Sequence, residues 1–227
     1  MRRTPRCIRP RTIRRVDELL AERYGKRLPR PGDPLDGLVR TILSQNTTDK
    51  TSLPAFDRLK ARFPDWEDAL AATPGDIAEV IRAAGLAPTK SRRIHELLAQ
   101  VKSDRGELSL DHVCGMEPAA AWDYLCGFAG VGPKTTALVL LFDCGMPFFP
   151  VDTHVFRVTS RLGWLPDGST PESAHEWLRR LVSDDLHFQL HLNLVEHGRA
   201  VCHARGPTCG VCVLRRFCAA LRSGKAP

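Results

Sequence analysis

Four of the eight cysteines, Cys202, Cys209, Cys212 and Cys218, fall within 17 residues in the pattern C-x6-C-x2-C-x5-C. Four thiolates so spaced can bind a tetrahedral zinc ion or a four-iron cluster. Zinc modules usually draw their ligands from two short knuckles ~12 or more residues apart. Here all four are wound into one loop, and the spacing points to [4Fe–4S]. His203 stands beside Cys202, but four sulfurs already complete a ligand set, so it reads as a surface or hydrogen-bonding residue. Arg199, Arg205, Arg215 and Arg216 share the segment and are placed to meet phosphates. Cys7, Cys114, Cys126 and Cys144 have no such spacing and read as ordinary small apolar residues. A secreted disulfide scaffold would spread its cysteines through a small chain, so this cluster predicts a metal site in a reducing compartment.

A second set of candidates lies upstream. Residues 124–141 read YLCGFAGVGPKTTALVLL: a helix, a Gly-Val-Gly turn, and a second helix opened by Pro133. Gly130 and Gly132 allow backbone N–H groups to project outward, and with the helix N-terminus they make a nest for a phosphate oxygen. Glycine turns between helices also serve as plain connectors. Lys134 sits one residue inside the second helix, where the positive helix end and burial beneath DNA would both disfavour its protonated form. A nucleophilic lysine needs that condition; a solvated lysine on a phosphate is the plainer alternative. Asp152 follows eighteen residues later in Pro150-Val151-Asp152-Thr153-His154. A carboxylate there caps the helical run through Val155, Phe156, Val158 and Leu162, and it can serve catalysis as well.

The elements that must carry these residues read as helices almost throughout. Val16, Leu19, Leu20 and Tyr24 recur at helical spacing, as do Ile94, Leu97, Leu98 and Val101, and no segment sustains the alternation of a half-buried strand. Thr73-Pro74 with Asp76, and Thr170-Pro171 with Glu172, combine a cap, a first-turn proline and an acid at two helix starts. Lys26–Asp36 and Gly145–Val151 are rich in proline and read as crossings between two domains. The chain is long enough, at 227 residues, for two small domains or one large one. Hydrophobic residues make up 43% and charged ones 26%, which excludes wholesale disorder. The most apolar stretch, 137–151, is broken by Asp143, Gly145 and two prolines, so no run approaches the ~20 apolar residues of a membrane helix.

Net charge is +7, and the first 15 residues hold seven arginines and no acid, which leaves the other 212 residues balanced. A basic arm on a near-neutral body suits a polyanion; a solubilising tail is the bland alternative. No apolar stretch follows the arginines and the segment has no serine, so neither a secretory signal nor a transit peptide is expected.

Together these residues resemble the endonuclease III family of helix-hairpin-helix (HhH-GPD) DNA glycosylases. The hairpin FAGVGPKTTALVL, the VDTHVFRV segment, HGRAVC and the cysteine loop occur in the family's order, and the likeness runs from about Leu35 to Cys218. The resemblance implies an all-α fold: a six-helix barrel domain with the helix-hairpin-helix over 36–146, beside an iron–sulfur domain built from both chain ends, 1–35 and 147–227, with a basic arm over 1–15. It implies that Lys134 attacks C1′ of a damaged pyrimidine nucleotide, that Asp152 assists, and that a covalent imine leads to strand cleavage by β-elimination.

Two loops are similar to the family's damage readers. Leu43–Asp49 resembles the segment whose glutamine fills the gap left by a flipped base; aligned on Thr48 and Asp49, the position falls on Asn46, with Gln45 next to it. Gly85–Lys90 resembles the wedge loop, with Leu86 as the intercalating side chain. The chain departs from the family at Ala129 and Pro133, where members commonly carry proline and a basic residue; that removes one phosphate contact. The expectation is a bifunctional DNA glycosylase and abasic-site lyase, with a [4Fe–4S] cluster, acting as a cytoplasmic, nucleoid-associated monomer on duplex DNA that carries oxidised pyrimidines or abasic sites. Expected contacts with DNA are Gln45, Asn46, Leu86, Gly130, Val131, Gly132, Arg205 and Arg215. A monofunctional mismatch or adenine glycosylase is one alternative, disfavoured by Lys134. A noncatalytic iron–sulfur DNA-binding or redox-sensing protein is another, and would tolerate any residue at 134 and 152.

Overall fold

Apolar spacing and proline-opened first turns produce twelve α-helices within residues 8–224, which the computed structural model describes, the side chain of Asp49 excepted. They are α1 (Pro10–Tyr24), α2 (Pro34–Ser44), α3 (Asp49–Arg62), α4 (Trp66–Ala71), α5 (Pro74–Val80), α6 (Ala87–Arg105), α7 (Pro118–Cys126), α8 (Pro133–Phe142), α9 (Thr153–Leu162), α10 (Pro171–Leu181), α11 (His187–Ala200) and α12 (Ala219–Arg222). No strand occurs among the described residues, and none of their helices is long and apolar enough to cross a membrane. The expected all-α architecture is the one observed. Arg2, Arg3, Arg6 and Cys7 of the basic arm lie outside the described residues.

Both helix starts expected from Thr-Pro pairs are present. Thr73 Oγ1 accepts from Asp76 N–H while the Asp76 carboxylate accepts from Thr73 N–H, so two otherwise unpaired donors are satisfied reciprocally. At α10 the reciprocal partner of Thr170 is Ser173, not the acid Glu172, because the box requires the third helical position. The first expected crossing is shorter than its proline content implied. Asp33 Oδ1 accepts from the N–H groups of Leu35 and Asp36, so α2 begins at Pro34 rather than beyond Asp36.

The chain forms two compact units. One spans residues 31–146 and holds α2 to α8. Here α2 packs on α3 and α8, and α5 on α6, around buried Leu38, Ile42, Leu59, Ile94, Leu98 and Leu140. The approach of α8 to α2 is close enough that a Cβ at Gly37 would lie 1.9 Å from Asp143 Oδ2, so any side chain there would force the buried carboxylate to move. Arg40 Nη2 donates to Asp143 Oδ1 at 2.9 Å. Burial pushes the Asp143 carboxyl up to about 6, against the pull of the Arg40 guanidinium.

In the same unit Cys114 and Cys144 form a disulfide, with Cα atoms 4.8 Å apart. Their reading as unpaired apolar residues is therefore corrected. The 3₁₀ turn Asp111–Gly115 and the end of α8 meet only in the folded chain, and a separation of 30 residues carries no ligand-like spacing.

The other unit joins residues 8–30 to 147–224. Its core mixes both ends of the chain: Ile13, Val16 and Leu20 from α1 pack with Val155, Val158 and Leu162 from α9, Leu178 from α10, and Leu190 and Leu194 from α11.

Candidate functional site

The hairpin of the 31–146 unit is made by the turn between α7 and α8. Its geometry requires glycine at position 130, where φ is +78° and a Cβ would crowd the Arg93 side chain at 3.1 Å. Cys126 Sγ and Thr136 Oγ1, 3.3 Å apart, tie the two helices together. Val131, one of the expected contacts with DNA, faces inward. Its N–H donates to Phe128 O at 3.1 Å and its side chain is buried, because the turn closes on itself there. Gly130 is exposed, and α8, with Gly132 as its N-cap, has no side-chain cap for its first turn. Lys134 is the second residue of α8, with an exposed side chain.

Of the two amides in the 43–49 loop, the structure engages one. Gln45 Nε2 donates to Gly130 O at 3.1 Å, and Gln45 Oε1 accepts from Arg93 Nη1 at 2.9 Å, so its side chain is held against the hairpin. Asn46 is exposed, with φ +54°. Leu86 caps α6 in the left-handed region at φ +51° and is 58% exposed, a large apolar side chain held away from any core. Asn46 and Leu86 are the only non-glycine residues with positive φ among the described residues.

In the other unit, Asp152 is the N-cap of α9. Oδ1 accepts from Val155 N–H at 2.7 Å, which leaves Oδ2 outside the cap. Two residues that the motifs did not single out, Arg157 and Arg161, link α9 to the cysteine loop. Arg157 donates to Cys202 O and Gly198 O, each at 2.8 Å, and pairs with His154 Nδ1 at 3.0 Å. Arg161 Nη1 donates to His203 O at 2.7 Å and to Cys202 Sγ at 3.2 Å. The signal for this pair was available in the sequence, since two arginines four apart share a helix face.

Cys202, Cys209, Cys212 and Cys218 line one cavity together with Arg161, Val201 and Leu221. His197 Nε2 lies 3.4 Å from Cys212 Sγ, and Tyr24 Oη 3.0 Å from His197 Nδ1; burial pushes this imidazole down to about 4, so it is neutral near pH 7. No group of three or more His, Cys, Asp or Glu close enough for a single metal ion occurs among the described residues. The donor set fits an iron–sulfur cluster: four soft thiols around one cavity, no carboxylate among them, and a guanidinium N–H aimed at one sulfur. Arg205, Arg215 and Arg216 are exposed on the same loop.

Residues 39–184 match the family described as HhH-GPD superfamily base excision DNA repair protein. Over 204 residues the chain is 32% identical to endonuclease III of Thermotoga maritima, covering 88% of this chain and 91% of that one. It is 42% identical over 165 residues to an Arabidopsis thaliana protein provisionally assigned as a DNA glycosylase, covering 73% of this chain but only 56% of the plant protein. In fold it is similar to a solved trapped endonuclease III–DNA covalent intermediate, with TM-score 0.79 and 24% identity over 96% of this chain and 99% of that one.

Proposed function

The chain belongs to the HhH-GPD superfamily of base excision DNA repair proteins as an endonuclease III homologue, and on that premise we propose a bifunctional DNA glycosylase and abasic-site lyase acting on oxidised pyrimidines in duplex DNA. The observation that carries the lyase half is Lys134, an exposed amine on the first turn of a helix opened by the hairpin. A monofunctional glycosylase has no use for a nucleophile there.

Flipping comes first, because C1′ is shielded and a damaged base cannot be judged inside the stack. Leu86 wedges into the duplex and Asn46 fills the gap. The Gly130 and Gly132 amides, with Arg205 and Arg215, hold phosphates. Lys134 Nζ, as the free amine, attacks C1′. The bond from C1′ to the base breaks, and the base leaves with that electron pair and takes up a proton. The nitrogen loses one proton, and the C1′–O4′ bond then breaks with the remaining N–H proton passing to O4′, which opens the ring and gives an imine between Nζ and C1′. Removal of a C2′ proton expels the 3′ phosphate by β-elimination, and water releases the lysine. The Asp152 carboxylate balances the positive charge that gathers on the sugar as the base departs.

The four cysteines would hold a [4Fe–4S] cluster, which when bound fixes the loop that carries Arg205 and Arg215. Purified protein is expected to be yellow-brown, with about four iron and four sulfide per chain. Stoichiometric zinc without iron after anaerobic purification overturns that assignment.

Duplexes carrying thymine glycol, an abasic site, uracil or an adenine mismatch test the function. Cleavage of the first two, with a covalent adduct in borohydride, is the expected pattern for the monomeric enzyme. Excision confined to uracil or mismatched adenine with no adduct supports the monofunctional reading, and binding without excision supports the noncatalytic one.

A further inference from the structure

Lys90, on the first turn of α6, is 2% exposed. Its Nζ donates to Leu43 O at 2.5 Å and Ala84 O at 2.8 Å, and no carboxylate pairs with it among the described residues. Both acceptors sit at ends of elements. Leu43 is the penultimate residue of α2, where carbonyls lack intrahelical partners, and Ala84 ends the 3₁₀ turn Arg82–Ala84. Asn46 lies three residues after the first acceptor, and Leu86 two residues after the second. One ammonium therefore ties the roots of the two segments that bear the only left-handed non-glycine residues described.

The tie extends one turn along α6. Arg93, at i+3 from Lys90, holds Gln45, which in turn holds Gly130 O in the hairpin turn. Burying an unpaired ammonium is costly, and burial indeed disfavours its charged form. Carbonyls at helix ends are commonly satisfied by water instead, so capping these two does not by itself call for a buried charge.

We propose that Lys90 is a positioning residue for nucleotide extrusion: by binding the carbonyls of Leu43 and Ala84 together it makes Asn46 and Leu86 enter the base stack as one rigid pair. The inference rests on the proposed reading of the protein as a base-flipping glycosylase. Its physical basis is pre-organisation. Two loops that moved independently would each lose conformational freedom on entering DNA, at the step where unstacking already costs a few kcal/mol.

The test uses Lys90→Met, which keeps the unbranched apolar stem, one atom shorter than lysine, but donates no hydrogen bond. Single-turnover rates are measured on a thymine glycol duplex and on a single-stranded abasic oligonucleotide, which needs no extrusion. The expected result is a fall of about tenfold or more on the duplex against less than about twofold on the single strand. In a Leu86→Ala background the same substitution should cost much less, since the two side chains act in one step. Fluorescence of 2-aminopurine beside the lesion should rise more slowly for the variant than for wild type. Equal losses on both substrates, or full additivity with Leu86→Ala, overturns the proposal. Should Lys90→Met not fold, Lys90→Gln, whose amide retains N–H donors without the charge or full reach, is read on the same two substrates. A wild-type protein inactive on both would sink the functional reading; an active wild type with no differential loss sinks only the role of Lys90.

Discussion

Lys134→Gln is expected to abolish the borohydride-trapped protein–DNA adduct on thymine glycol and abasic duplexes while leaving DNA affinity within a few fold. Reduction by borohydride fixes an imine that only an amine can form. Glutamine keeps much of the length and the hydrogen-bonding capacity, so the substitution isolates nucleophilicity from placement. Position 134 is exposed on the first turn of α8, and the buried residues that hold this helix, Thr136, Val139 and Leu140, are untouched. The fold should therefore be unaffected. Affinity should change little because one phosphate contact is a small part of a footprint set by many, which a salt titration of binding reads directly. Adducts that persist in Lys134→Gln would assign the nucleophile to another amine, with the chain's N-terminal amine the first to examine.

Asp152→Asn is expected to lower single-turnover base excision by about a hundredfold or more while leaving the melting temperature nearly unchanged. The separation of effects comes from the cap. Asp152 Oδ1 accepts from Val155 N–H at 2.7 Å, a bond that an asparagine oxygen reproduces. What asparagine cannot supply is the negative charge. Asp152→Ala removes cap and charge together, and should cost about 1 kcal/mol of stability in addition. If Asp152 were only a cap, Asp152→Asn would keep full activity; a glycosylase assay beside thermal denaturation of both variants distinguishes the cases.

Features that depend on residues adjacent in the chain were legible in the sequence. Thr73 with Asp76, Pro133 opening α8, and the apolar rows of α1 and α6 act within one or two turns, where spacing alone determines which groups meet. The contacts that were not legible share a physical origin. Cys114 and Cys144, Gly37 and Asp143, and Lys90 and Leu43 are pairs brought together by tertiary packing across 30 to 106 residues. No local pattern distinguishes a buried lysine on α6 from a solvated one. The two amides of the 43–49 loop illustrate the same limit: alignment weighs Gln45 against Asn46, but only the fold shows Gln45 held by Arg93 and Gly130. The cysteine motif was visible, whereas the guanidinium of Arg161 beside Cys202 Sγ depends on where α9 lies.

The Cys114–Cys144 bond gives the hairpin a covalent topology of its own. Its closed ring contains α7, the turn and α8, with little besides. When oxidised, that ring persists in the unfolded chain, so the two helices search for each other inside a macrocycle rather than along an open polymer. In the chain-entropy picture, closing a loop of this size removes roughly 3 to 4 kcal/mol of unfolded-state freedom. A single backbone cut in the Gly127–Gly132 turn would leave both halves on one molecule, Lys134 among them. Reduction opens the ring, and the same cut then severs the chain.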